Sequence, residues 1–288
     1  MLADQTVAPF PLASREDEDH RALAACAEPG AALCTVVGIE GSFSRRLGAQ
    51  LAITPEGRIA GSLADGCLEQ QLASDCRDTE VPIVKRYGRG SRQIDFRLPC
   101  GGGLDILIDP VPDRDACRQA LNALHLREDV KLALAPNRLM TSRRYIPRLA
   151  IRAFGEGPEL EALATIASAA GVACDVTDKG ELALGGTSGG GPTDPWTAVV
   201  MLFHDHDWEV PLLEEALSGP AFYIGAQGGL QARRARLAAL SARGLGEDQL
   251  HRVRSPIGTP RGSRTPQALA LSVLAEIVGE YERLRPAA

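Results

Sequence analysis

Leu149-Ala150-Ile151-Arg152-Ala153-Phe154, followed by Gly155-Glu156-Gly157-Pro158-Glu159-Leu160, decides the fold of this chain. An apolar strand breaks at a glycine turn, and the sequence continues with helical spacing. A turn of that kind brings backbone N–H groups and the positive end of a helix towards an anion. The next strand, residues 172–177, ends at Asp178, 21 residues beyond Gly157. That is near the spacing at which a carboxylate reaches a ribose hydroxyl. Leu160 stands where a third glycine would bring helix and strand close, and Glu156 and Glu159 add negative charge beside the proposed phosphate. Two readings stay open here: a nucleotide pocket, or a fold that has kept the turn and lost the ligand.

Working outward, strands at 198–203 and 221–224 each precede helical periodicity, and a last helix from Pro266 to Arg283 carries Leu269, Val273, Leu274 and Ile277 on one face. This alternation predicts a parallel sheet flanked by helices, a Rossmann-like domain over residues 147–288. Residues 185–195, with five glycines and two prolines, read as a flexible connection. Ile224-Gly225-Ala226-Gln227-Gly228-Gly229 leads into a helix bearing Arg233, Arg234 and Arg236, a second place to hold phosphate; Arg236 reads as a solvated basic face. His204-Asp205-His206-Asp207 follows a strand but has no third ligand for a metal, so no metal site is expected and a polar ligand contact is assigned to His204 or Asp205.

The first half has another rhythm. Strands are expected at 32–39, 50–54, 58–63, 81–87 and 104–108, with helices at 65–78 and 113–126. The fold class is therefore α/β: a strand-rich mixed domain over residues 20–146, after a tail of residues 1–19, joined through an irregular Arg- and Pro-containing stretch at 135–147 to the second domain. Three motifs in the first domain carry chemistry. Residues 38–48 end a strand in a glycine-punctuated loop with Arg45 and Arg46, able to donate to an anion. Residues 61–69 pass into a helix with Cys67 in its first turn, where the helix end favours thiolate. Cys67 lies off the Leu68, Leu72, Cys76 stripe, which reads as core. Cys100 precedes Gly101, Gly102 and Gly103, which let a ligand approach a soft thiol closely.

Composition narrows the remaining classes. Of 288 residues, 44% are hydrophobic and 24% charged, enough to bury a substantial core. A formal charge of −6 gives no general attraction to nucleic acid or anionic lipid. Seven scattered cysteines without CxxC spacing fit neither a disulfide framework nor a zinc knuckle. No export signal or membrane-length apolar run is present, so a cytoplasmic protein is expected.

Taken in order, Cys34-Thr35-Val36-Val37 through Gly41-Ser42, Arg46 and Gly48, then Gly61-Ser62-Leu63 with Gly66-Cys67-Leu68-Glu69, then Cys100-Gly101-Gly102, resemble the XdhC/CoxI family. The likeness continues through residues 197–205, 221–226, 255–258 and 264–277. Phe43 and Ser44 depart from the family's Ser-Pro pairing, and Thr259-Pro260-Arg261 from its usual loop. The resemblance implies a maturation chaperone, a non-enzymatic accessory factor that binds molybdenum cofactor (molybdopterin or its dinucleotide form). Such a factor helps to sulfurate the cofactor or protects its sulfurated form, and delivers it to a molybdenum hydroxylase such as xanthine dehydrogenase. A cysteine desulfurase and a second copy of the chain are further implied partners. In this picture Cys100 and Cys67 contact molybdenum or its sulfur beside Gly101 and Gly102, while Arg45 and Arg46, together with the second-domain site of Gly155, Gly157, Asp178, His204, Gly225 and Arg233, hold the pterin's anionic tail. Thiols and anion grips then have to face a common hollow. An NAD(P)-dependent oxidoreductase and an interaction scaffold for the hydroxylase are the alternatives.

Overall fold

The computed structural model describes residues 18–91, 98, 101–189, 193–259 and 262–285. Most of the expected tail and Cys100 lie outside these residues.

The first lobe contains helix α1 (Glu18–Ala27), strands β1 (Ala32–Glu40), β2 (Gln50–Ile53) and β3 (Ile59–Gly61), helix α2 (Gly66–Arg77), strands β4 (Ile83–Gly88) and β5 (Gly103–Asp109), and helix α3 (Arg114–His125). The five strands form one antiparallel sheet in the order β3-β2-β1-β5-β4. Alternation along β1 sets its two faces. Cys34 and Val36 join Leu68 and Leu72 of α2 in one core, while Leu33 joins Ala22 and Leu23 of α1 and Cys117 and Leu124 of α3 in another. Helix α2 starts where the sequence places it because Asp65 caps it, its carboxylate accepting from the Leu68 N–H at 3.0 Å.

The irregular stretch expected at 135–147 is corrected. Strand β7 (Ser142–Tyr145) pairs antiparallel with β6 (Val130–Ala133). Arginines made the segment look solvated. Arg143 is in fact buried, and its guanidinium donates to the Gln50 side-chain oxygen at 2.9 Å. The Tyr145 hydroxyl donates to the same oxygen, and the Gln50 amide donates to Thr35 at 2.9 Å. Thr35, Gln50, Arg143 and Tyr145 thus satisfy one another, which is what permits their burial.

The second lobe runs β8 (Ala150–Gly155), α4 (Pro158–Ala169), β9 (Ala173–Asp178), β10 (Thr197–Leu202), α5 (Glu209–Ser218), β11 (Tyr223–Ala226), α6 (Leu230–Ala242), α7 (Glu247–His251), β12 (Val253–Arg254) and α8 (Pro266–Leu284). All five strands are parallel, in the order β12-β11-β10-β8-β9. Strand β10 is buried throughout. Ala198, Val200 and Leu202 face the core with α4 and α8, and Val199 and Met201 face the core with α5 and α6. Each fully buried Val, Leu or Met contributes roughly 1.5–3 kcal/mol. The chain leaves β8 through α4 towards β9 and leaves β10 through α5 in the other direction. The connections therefore reverse between β8 and β10, which opens a crevice at their carboxyl ends. Strand β12 escapes a sequence reading because two residues show no periodicity. Among the described residues no helix is long and apolar enough to cross a membrane.

Candidate functional site

The ends of β1 and β3 and the starts of β2 and β5 lie at one end of the antiparallel sheet, as the pairings Thr35–Gln50, Leu51–Gly61 and Glu40–Gly103 require. The connecting loops meet there. The Arg45 guanidinium donates to the Ser62 carbonyl at 3.2 Å and pairs with Glu18 at 3.0 Å. Glu69 of α2 fixes the neighbouring loop, accepting from the Ser62 hydroxyl at 3.0 Å and the Leu63 N–H at 2.7 Å. Cys67 is exposed on the first turn of α2, while Leu68 and Leu72 are buried. Backbones approach closely at the two glycine loops: a Cβ on Gly41 would lie 3.5 Å from the Gly102 Cα. Open space faces Gly101, whose φ of +67° suits glycine. Arg45, Gly101, Gly102 and Cys67 are thus brought to one end of one sheet. Arg46 is there too, reaching Glu282 of α8 at 3.4 Å. Acids at this end are matched by further arginine, since Arg86 bonds both Glu40 and Asp105.

The second set of groups lies at the carboxyl ends of the parallel strands. Gly155 permits close strand packing, because a Cβ there would sit 2.4 Å from the Leu202 carbonyl oxygen. Gly225 is likewise filled in by the Tyr223 ring and Ile257. Gly157, at φ +78°, has only the Glu159 carboxylate nearby, 3.8 Å from where a Cβ would lie, and precedes α4 without any side-chain cap hydrogen bond, so that helix end is left to backbone N–H groups. Leu160 packs into the core beneath α4. Asp178 caps a short 3-10 turn, accepting from the Gly180 N–H at 2.8 Å. His204 is exposed, with Nε2 3.5 Å from Glu159. Arg233 donates to the carbonyls of Val253 and Ser255 at 3.2 and 2.9 Å.

The expectation of a solvated Arg236 is overturned. Arg236 is 3% exposed and pairs with Glu209, itself fully buried, at 2.6 Å. It also donates to the Gln227 carbonyl at 2.7 Å and the Ser255 hydroxyl at 2.9 Å, so one guanidinium ties together the loops after β10, β11 and β12. Glu209 holds the imidazole of His206 through Nδ1 at 3.1 Å. A Cβ on Gly228 would meet the His206 Nε2 at 3.3 Å, so the glycine leaves that edge of the ring uncovered at the crevice. Sequence reading favoured His204 and missed His206. The i, i+3 spacing of His206 and Glu209 was its one legible trace.

The two sets do not converge. Contacts between the lobes gather at the amino ends of the parallel strands: Arg127 pairs with Asp194 at 2.7 Å and donates to the Arg148 carbonyl at 2.5 Å, and Arg144 stacks 5.8 Å over Trp196. Arg46 meets the end of α8 whose Tyr281 donates to the Pro147 carbonyl at 2.6 Å, just ahead of β8. A cavity of about 270 Å³ lined by Arg127, Arg152, Asp175 and Asp194 lies at this same end. The glycine turns lie about 20 Å away, at 3.3 Å per residue of strand. Among the described residues no three His, Cys, Asp or Glu side chains form a metal-binding group.

Comparison with known proteins matches this architecture. The XdhC and CoxI family profile matches residues 26–88, and the XdhC Rossmann domain profile matches residues 151–277. The chain is 32% identical, over 90% of its own length and 88% of the relative's, to the Escherichia coli (strain K12) protein named molybdenum cofactor insertion chaperone PaoD. A crystal structure from Bacillus halodurans, described as a xanthine dehydrogenase, superposes with a TM-score of 0.70 at 19% identity, covering 93% of this chain and 97% of that one, and so shares the fold. On the two profile matches and the near full-length identity, this chain belongs to the XdhC and CoxI family.

Proposed function

We propose that this protein is a maturation chaperone for molybdenum cofactor. In this role it binds molybdopterin or its dinucleotide form as cargo, protects or helps sulfurate it, and passes it to a xanthine dehydrogenase-like hydroxylase. The observation that carries the proposal is that the Arg45–Arg46 loop touches the Gly101–Gly102 loop through Gly41 and the Ser62 turn through Arg45, just ahead of the helix on whose first turn Cys67 is exposed. The chemistry of these groups suits the cargo. A thiol is a soft ligand for molybdenum or its sulfur, guanidinium groups grip phosphate, and glycines admit a flat ring where side chains would obstruct. Cys100 is assigned to the same cradle. A phosphate arriving there competes with Glu18 and Glu282 for the two arginines.

The crevice at Gly157, Asp178, His204 and Arg233 is assigned to a nucleotide tail. Because it lies at the other end of the parallel sheet, one cargo molecule touches both sets of groups only where a second copy of the chain, or the client enzyme, completes the hollow. A homo-oligomer is the arrangement we favour, with the hydroxylase and a cysteine desulfurase as transient partners in the cytoplasm. The crevice also supports a second reading as an NAD(P)-dependent oxidoreductase, although Asp178 already spends a carboxylate oxygen on its own backbone.

The test is to isolate the protein from a host that makes molybdenum cofactor and to assay bound molybdenum and pterin. Both should co-purify, and Cys67→Ala should reduce their retention. Absence of both, with reconstitution also failing, would remove the proposal. Calorimetric titration with NAD(H) and NADP(H) decides the second reading, which a lack of binding heat eliminates.

A further inference from the structure

Two thiols that the cradle does not use lie in contact inside the first lobe. Cys34, on the central strand β1, is fully buried, and its Sγ is 3.5 Å from the Sγ of Cys76 in the last turn of α2. Cys76 is only half-buried, so one member of the pair is reachable from solvent. The surroundings are polar on the Cys76 side: Asp75 pairs with Lys85 at 3.5 Å and accepts from Gln71 at 3.0 Å and from the Tyr87 hydroxyl. A hydrogen bond from Cys34 holds the Cys76 thiol below its ordinary range, against burial and the Asp75 carboxylate and with help from Lys85. Burial pushes Cys117 and Cys174 the other way, each up to about 11. Thiolate is the reactive form, so Cys76 is set apart from these thiols.

We propose that Cys34 and Cys76 are a peroxide-sensitive pair that closes to an intramolecular disulfide, pinning the end of α2 to the strand that leads into the Arg45–Arg46 loop. The Cys76 thiolate attacks a peroxide, whose O–O bond breaks; Cys76 becomes a sulfenic acid and hydroxide leaves. The Cys34 sulfur then attacks the Cys76 sulfur, the S–O bond breaks, and water departs with the Cys34 proton. Two thiols are oxidised and one peroxide is reduced. Contact at 3.5 Å must shorten to a bond of about 2.05 Å, and Cys76 sits at a helix end, where the backbone moves most easily. The proposal is independent of the cargo the protein carries.

The test uses the full chain, reduced, desalted and treated with hydrogen peroxide, then alkylated in denaturant and mapped as unreduced peptides. A peptide joined through Cys34 and Cys76 should appear before Cys26 and Cys117 lose alkylation, and dithiothreitol should reverse it. The thermal midpoint should rise by on the order of 5 °C, since the crosslink closes a long loop. Cys34→Ser should leave a sulfenic acid at position 76 that dimedone captures, and Cys76→Ser should leave Cys34 alkylatable. If the untreated variants fail to fold, the map of the natural chain decides alone. Oxidation confined to Cys67, or Cys76 joined to any cysteine other than Cys34, overturns the proposal.

Discussion

Arg127 and Asp194, 67 positions apart, form a two-pronged ion pair, Nε to Oδ2 at 2.7 Å and Nη2 to Oδ1 at 3.0 Å, that fastens the end of α3 to the turn before β10. The same guanidinium takes the Arg148 carbonyl, so one side chain fixes both the connection into β8 and the approach to β10. Arg127→Ala should cost about 1–3 kcal/mol, measured by denaturant unfolding, and should separate the melting of the two lobes. Burial alone would raise the Asp194 carboxyl, but Arg127, the Trp196 N–H and the Thr197 hydroxyl together hold it below its ordinary value. A depressed folded-state value stabilises the protein above the unfolded value and is lost as pH falls through the folded one. Acid titration should therefore weaken the lobe contact below about pH 4, and Asp194→Asn should flatten that dependence.

The Glu209–Arg236 pair should show the asymmetry of buried charge. Removing either partner, as in Glu209→Gln or Arg236→Met, strands the other charge out of water and should cost about 3–5 kcal/mol. Combining the two should restore a large part of the loss. Equal, additive losses in a double-mutant cycle would show that the two side chains are not coupled.

Glycines of the turn after β8 should differ in kind. Gly155→Ala puts a methyl group against the Leu202 carbonyl and should destabilise by several kcal/mol or prevent folding. Gly157→Ala makes only an ordinary contact, 3.8 Å from the Glu159 carboxylate, and should cost about 1–3 kcal/mol, from its positive φ. Thermal melts of the two variants separate these outcomes.

Taking one competing carboxylate from the arginine loop should strengthen anion binding. Glu282→Gln removes the carboxylate that pairs with Arg46 at an exposed site, leaving stability within about 0.5 kcal/mol, while retention of molybdenum and pterin rises. Cys117→Ala, in contrast, empties a buried core position and should lower stability without changing retention. Unchanged retention in Glu282→Gln would indicate that Arg46 does not grip the cargo.

The sequence by itself determined the fold class and most of the longer elements. Period-two and period-3.6 patterns, the Asp65 cap and the turn at Gly155–Gly157 are local signals, set by residues within a few positions of one another. It also nominated the groups proposed for the cradle, because Arg45, Cys67 and Gly101 stand in short motifs. Tertiary structure alone decided the burial of Arg143 and Arg236 and the contact of Cys34 with Cys76, since each depends on a partner tens of positions away. It decided as well that cradle and crevice lie at opposite ends of the parallel sheet. Lobe orientation is fixed by a few long-range bonds such as Arg127 to Asp194, and no periodicity along the chain encodes those.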